Sequence, residues 1–161
     1  MKKSTHIANA AWTVFLYNYG PGNCHVKKIE YSYALTGQPA SGWKSWDSVV
    51  KELADAGIMR SRDYHLRGIG AGSVIPVDSV SREGAELAAF SKECLAKISS
   101  MDVALEVEDV LGDIYGRTIE CFRAAHKITE FRYGNSAKTV KFRKWSTGRA
   151  VFTGGLWNRP R

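Results

Sequence analysis

Over the first twenty positions, Ile7, Ala8, Ala11, Trp12, Phe15 and Tyr19 recur at helical spacing. That rhythm lines up apolar side chains on one helix face. Ser4 or Thr5 can cap the start and Gly20–Pro21 closes the end, so a helix over about 5–19 is expected. The same run, WTVFLYNY, is rich in sheet-forming residues, and a strand is the alternative. In CHVKKIEYSYAL, Ile29, Tyr31, Tyr33 and Leu35 alternate as in a strand, while Val26, Ile29 and Tyr33 fit a helix. A helix ending at Gly37 is the expectation, followed by the loop GQPASGWK.

The stretch SWDSVVKELADAGI is a stronger local signal. Ser45 is an N-cap, Asp47 favours the positive helix start, and Val49, Val50 and Leu53 make a buried stripe. Gly57 should end the helix in a left-handed cap, with Ile58 packing back. DYHLR and SVIPV then read as two short strands around GIGAG, and Pro76 marks the second as an edge strand. Leu87, Phe90, Cys94, Leu95 and Ile98 form an amphipathic stripe, which predicts a helix over about 80–99. Ser99 to Asp102 resembles a capping box opening another helix, roughly 101–126, lined by Val103, Val107, Val110, Ile114, Cys121 and Phe122. From Ile128 the period becomes two. ITEFRY, KTVKFRKW and RAVFT, separated by GNSA and STG, predict a three-stranded antiparallel meander.

These elements give an α+β fold in a single domain over 1–161: amphipathic helices followed by a C-terminal β-meander. A subdivision at residue 78 is the finer expectation. The helix over 46–56, its Ala-Gly-Ile exit and the turn at GIGAG are similar in outline to a winged-helix module. That resemblance spans about residues 24–78 and implies a recognition helix with GIGAG at the wing tip. The helix carries Asp47, Glu52 and Asp55 against Lys51, a poor charge pattern for a DNA groove.

Charge changes the picture at the C-terminus. The 161 residues hold 23 basic and 16 acidic side chains, net +7, with a pI near 9.4. Residues 101–122 hold six acids against Arg117, whereas 123–161 hold ten basic residues against Glu130. Such a balance favours anionic partners. Within the meander, Lys138, Lys141, Arg143, Lys144 and Arg149 surround Phe142 and Trp145, and Arg132 lies on the neighbouring predicted strand. Cations pair with phosphates and an aromatic ring offers a stacking plane. Arg132, Lys138, Lys141, Arg143, Lys144, Trp145 and Arg149 are therefore the candidate nucleic-acid-binding residues. A solvated sheet face is the bland alternative, and docking on an acidic protein is the rival function.

Nothing in the pattern points to catalysis or a cofactor. Cys24, Cys94 and Cys121 are an odd, widely spaced set and form no disulfide framework. A reducing, cytoplasmic setting fits them. Cys24 and His25 are adjacent, and Cys121 and His126 are five apart. Neither spacing makes a nucleophile–base pair by itself. There is no paired-ligand spacing for zinc, and His6, His25, His65 and His126 read as ordinary surface or boundary residues. Asp109 and Asp113, at i and i+4 of the predicted helix, could share a cation. GIGAG lacks the strand–loop–helix setting of a phosphate loop. Lys2 and Lys3 precede an apolar run, but Asn9 and Asn18 interrupt it, so neither a signal peptide nor a membrane span is expected.

Overall fold

A computed structural model describes residues 7, 10–18, 22–76, 85–122 and 147–152. The elements run β1 (Ala10–Asn18), β2 (Cys24–Leu35), α1 (Trp46–Asp55), β3 (Tyr64–Leu66), β4 (Val74–Ile75), β5 (Ala85–Ser91), α2 (Lys92–Lys97), β6 (Ile98–Glu108), β7 (Ile114–Glu120) and β8 (Thr147–Phe152). The fold is mostly β, which overturns the α+β expectation. Strands β1 to β7 make two antiparallel sheets, one curled into a half-barrel. The first sheet has the order β3-β5-β1-β8 and the second β4-β2-β6-β7.

Each predicted helix but one is replaced for an identifiable reason. In β6, Met101, Val103, Leu105 and Val107 are buried, and Asp102, Ala104, Glu106 and Glu108 alternate with them. This period of two is a strand's, so no helix runs from 101, and Ser99 lies within the strand rather than capping anything. The stripe over 80–99 divides among three elements. Leu87, Ala88, Ala89 and Phe90 are all buried because β5 lies between β3 and β1. Ser91 then caps the short α2, its Oγ accepting from Cys94 N at 3.1 Å. Ile98 already belongs to β6. The N-terminal segment takes the strand alternative: Trp12, Val14 and Leu16 face the core.

Strand β2 misleads through a bulge. Its ladder with β6 shifts between Val26 and Lys28, leaving Lys27 as the extra residue. Before the bulge Cys24 and Val26 point inward; after it Tyr31 and Tyr33 do, with Ile29 and Leu35 packed partly against the core. One inserted residue turns a spacing of two into three, and the row imitates a helix.

Helix α1 forms as its sequence predicts. Ser45 caps it, Val49 and Leu53 are fully buried, and Val50 is half-buried. Ile58 N donates to Leu53 O at 2.8 Å and Gly57 N to Ala54 O at 2.9 Å. With Gly57 at φ 77° this is a Schellman cap. A winged-helix arrangement over 24–78 is excluded, because residues 24–35 are a long strand. GIGAG is not a hairpin tip either: β3 pairs with β5 and β4 with β2, so the loop crosses between sheets. The edge position of β4 is as predicted.

The core lies between the sheets, with α1 packed on β2. Burying a side chain such as Leu105 or Phe90 contributes about 1.5–3 kcal/mol. Buried hydrogen bonds tie the two sheets together. Trp12 Nε1 donates to Cys121 O at 2.6 Å, and Asn18 Nδ2 to Ile75 O at 3.0 Å.

Candidate functional site

The basic C-terminal stretch enters the described fold only through β8. Most of the predicted meander, and with it Arg132, Lys138, Lys141, Arg143, Lys144 and Trp145, lies outside the described residues. Strand β8 contains Arg149, whose backbone is in register with Phe15 of β1. The pairing is parallel, from Thr13–Thr147 to Asn18–Phe152. The antiparallel partners expected for RAVFT lie outside the described residues; its described partner is the first strand. The effect is to fasten the end of the basic stretch along the first sheet.

A second basic surface, which the sequence did not single out, lies around the start of α1. Trp46 opens the helix, and its Nε1 donates to Leu66 O at 3.0 Å. The Arg60 guanidinium carbon lies 4.8 Å from the centre of that ring, a cation–π arrangement. Arg67 follows Leu66 directly and is exposed. Gly68 comes next, and a Cβ there would sit 3.7 Å from Trp46 Cε2. The left-handed exit at Gly57 returns the chain so that residue 60 meets residue 46. No spacing in the sequence reports that return.

Two acids around this surface are already committed, whereas Asp47 and Asp55 of α1 are exposed. Asp63 accepts from Arg62 Nε and Nη2 at 3.0 and 2.7 Å and from Met59 N at 2.7 Å. The Arg62 bonds hold its carboxyl below the usual carboxylate range. Glu52 accepts from Lys44 Nζ at 2.7 and 2.8 Å and from Tyr33 Oη at 2.7 Å. Lys44 first, then Tyr33, lowers its pKa. Burial, and then the bond to Glu52, pushes the Tyr33 phenol up to about 12. Arg60 and Arg67 have no carboxylate partner among the described residues.

The outer face of the second sheet has the opposite sign. Lys28, Glu106 and Gly116 share one cross-strand row, Glu30, Ala104 and Thr118 the next, and Ser32, Asp102 and Glu120 a third. Lys28 pairs with Glu30 at 3.0 Å, and Lys27 with Glu108. The small side chains of Ala104 and Gly116 leave a depression of about 330 Å³. Burial first, then Glu120, raises the pKa of Asp102.

The remaining candidates separate in space. Cys24 is buried and its neighbour His25 exposed, on opposite faces of β2, so they make no dyad. All three thiols are free and buried. Burial is the main cause that raises each pKa, to about 12 for Cys94. A thiol held neutral is a poor nucleophile. His65 is buried in β3, whereas His6 and His126 lie outside the described residues. Asp109 and Asp113 sit in the β6–β7 turn, not on a helix. Asp109 Oδ1 accepts from Leu111 N at 2.8 Å and Asp113 N at 3.0 Å. Among the described residues, no three His, Cys, Asp or Glu side chains group as metal ligands. No described helix is long and apolar enough to cross a membrane.

Comparison with family models, with curated proteins and with solved structures finds no match to this chain.

Proposed function

We propose that the protein binds nucleic acid without catalysing a reaction, through the basic, aromatic-bearing stretch 138–149. One observation carries the reading. Residues 123–161 hold ten basic side chains against one acid, whereas residues 1–122 hold thirteen against fifteen. The positive charge is gathered at one end of the chain instead of being spread for solubility. Phosphates would pair with Lys138, Lys141, Arg143, Lys144 and Arg149, with Arg132 beside them. Trp145 would stack on an unpaired base and favour single strands.

The test is fluorescence anisotropy with a labelled oligonucleotide at several salt concentrations. Three to five phosphate contacts give a slope of log affinity against log salt of about −2 to −4. Reversing charge at Lys141 and Arg143 should weaken binding to every sequence and flatten that slope. Trp145→Ala should cost about 1–3 kcal/mol on single strands and leave the slope nearly unchanged. Absence of binding at low salt, with the fold intact by circular dichroism, would sink the proposal. The acidic outer sheet face favours a second reading, a protein-binding module that would meet a basic partner there, distinct from the acidic partner its C-terminal charge suggests.

A further inference from the structure

We infer that Arg60, Arg67 and Trp46 form a second phosphate contact for single-stranded nucleic acid, at the start of α1. The inference rests on the reading that this protein binds nucleic acid and extends its footprint to residues outside the C-terminal stretch.

Arginine recognises phosphate through a planar fork of N–H donors. A fork is useful to a ligand when it is both held in place and uncommitted, and Arg60 meets both conditions. The Trp46 ring lies against its guanidinium, 4.8 Å from the carbon, and the bond from the indole N–H to Leu66 O fixes the ring. No carboxylate among the described residues takes up its donors. Asp63 and Glu52 are held by Arg62 and by Lys44 with Tyr33, while Asp47, next to Trp46, is exposed. Arg67 adds a second exposed cation on the segment that receives the indole bond. Trp43, three positions before Trp46, is 48% exposed and offers an aromatic surface to a base. Two free arginines and exposed tryptophan are the residue types that single-strand binders use. A purely structural cation–π pair would not need Arg67.

The experiment uses the full chain and a fluorescein-labelled oligothymidylate, titrated at several salt concentrations. Arg60→Gln and Arg67→Gln should each weaken binding by about three- to tenfold. Together they should make the salt slope shallower by about 1.4, two contacts at about 0.7 each. Lys97→Gln removes the same charge from α2 and serves as the control. Arg60→Lys keeps the charge but loses the fork; it should preserve most of the slope while weakening affinity. Thermal melts check folding. Should Arg60→Gln melt early, Arg67→Gln decides the outcome, because its side chain has no hydrogen bond or ion pair among the described residues.

Affinity of the double variant equal to that of Lys97→Gln would overturn the inference. If charge reversal at Lys141 and Arg143 abolishes binding while the double variant binds like wild type, this site fails and the C-terminal reading stands. No binding by wild type at low salt removes both.

Discussion

Gly57 shows what a single residue contributes. A Cβ at this position would meet nothing within 4 Å, yet φ is 77°. The cost of Gly57→Ala is therefore conformational, not steric, and should be about 1–2 kcal/mol in a urea titration. Gly116 also has open space around it, in a strand with ordinary φ, so Gly116→Ala should leave the midpoint nearly unchanged. Two carboxylates set opposite pH responses. Asp63 has a lowered pKa, first because of its bonds to Arg62. Its stabilising effect is present above the unfolded value, near 3.9, and is lost as pH falls through the folded value. Asp63→Asn should lower the melting temperature at neutral pH and shrink the further loss seen in acid. Asp102 has a raised pKa, from burial and then Glu120. Its effect favours folding below the unfolded value and is lost as pH rises through the folded one. Asp102→Asn should therefore melt no lower than wild type at pH 7 and lose any advantage below about pH 4. A wild-type-like acid limb for Asp63→Asn, or a clear neutral-pH loss for Asp102→Asn, would show these environments misread.

At the scale of elements, legibility depended on whether local chemistry or tertiary setting decided the structure. α1 was readable because Ser45, Gly57 and Ile58 act within a turn of the helix they bound. The same holds for Tyr64–Leu66 and the edge strand before Pro76. β2 was not readable, since the bulge at Lys27 depends on pairing with β6. β5 was not, because burial on both faces removes the alternation that marks a strand. In β6 the alternation was present, and the stronger-looking capping pattern at Ser99 competed with it. The bulge makes a prediction. Deleting Lys27 should turn Cys24 and Val26 to the outer face or break the ladder, at about 1.5–3 kcal/mol per side chain exposed. Lys27→Gln should lose only its exposed pair with Glu108, worth about 0–1 kcal/mol. Equal denaturation midpoints for the two would refute the bulge. In the same way, Leu87→Ala, at a fully buried position of β5, should cost about 2–5 kcal/mol. Leu95→Ala should cost less, because Leu95 is only partly buried.

For the whole molecule, the candidate site was legible as charge and not as geometry. The gathering of cations after residue 123 is visible in the sequence alone. The surface of Trp46, Arg60 and Arg67 needs a helix, its reversal and a neighbouring strand before the residues meet. The parallel pairing of β1 with β8 has its own consequence in time. A strand made among the first is flanked by one made near residue 150, so during synthesis β1 must wait for its last neighbour. Contacts this distant in sequence are slow to close, and an unpaired edge invites association with other chains. The period of risk runs from the emergence of β1 to that of β8. A chain ending at residue 146 should therefore scatter light on refolding at concentrations where the full chain stays clear, and a peptide spanning Thr147–Phe152 supplied in excess should suppress that scatter.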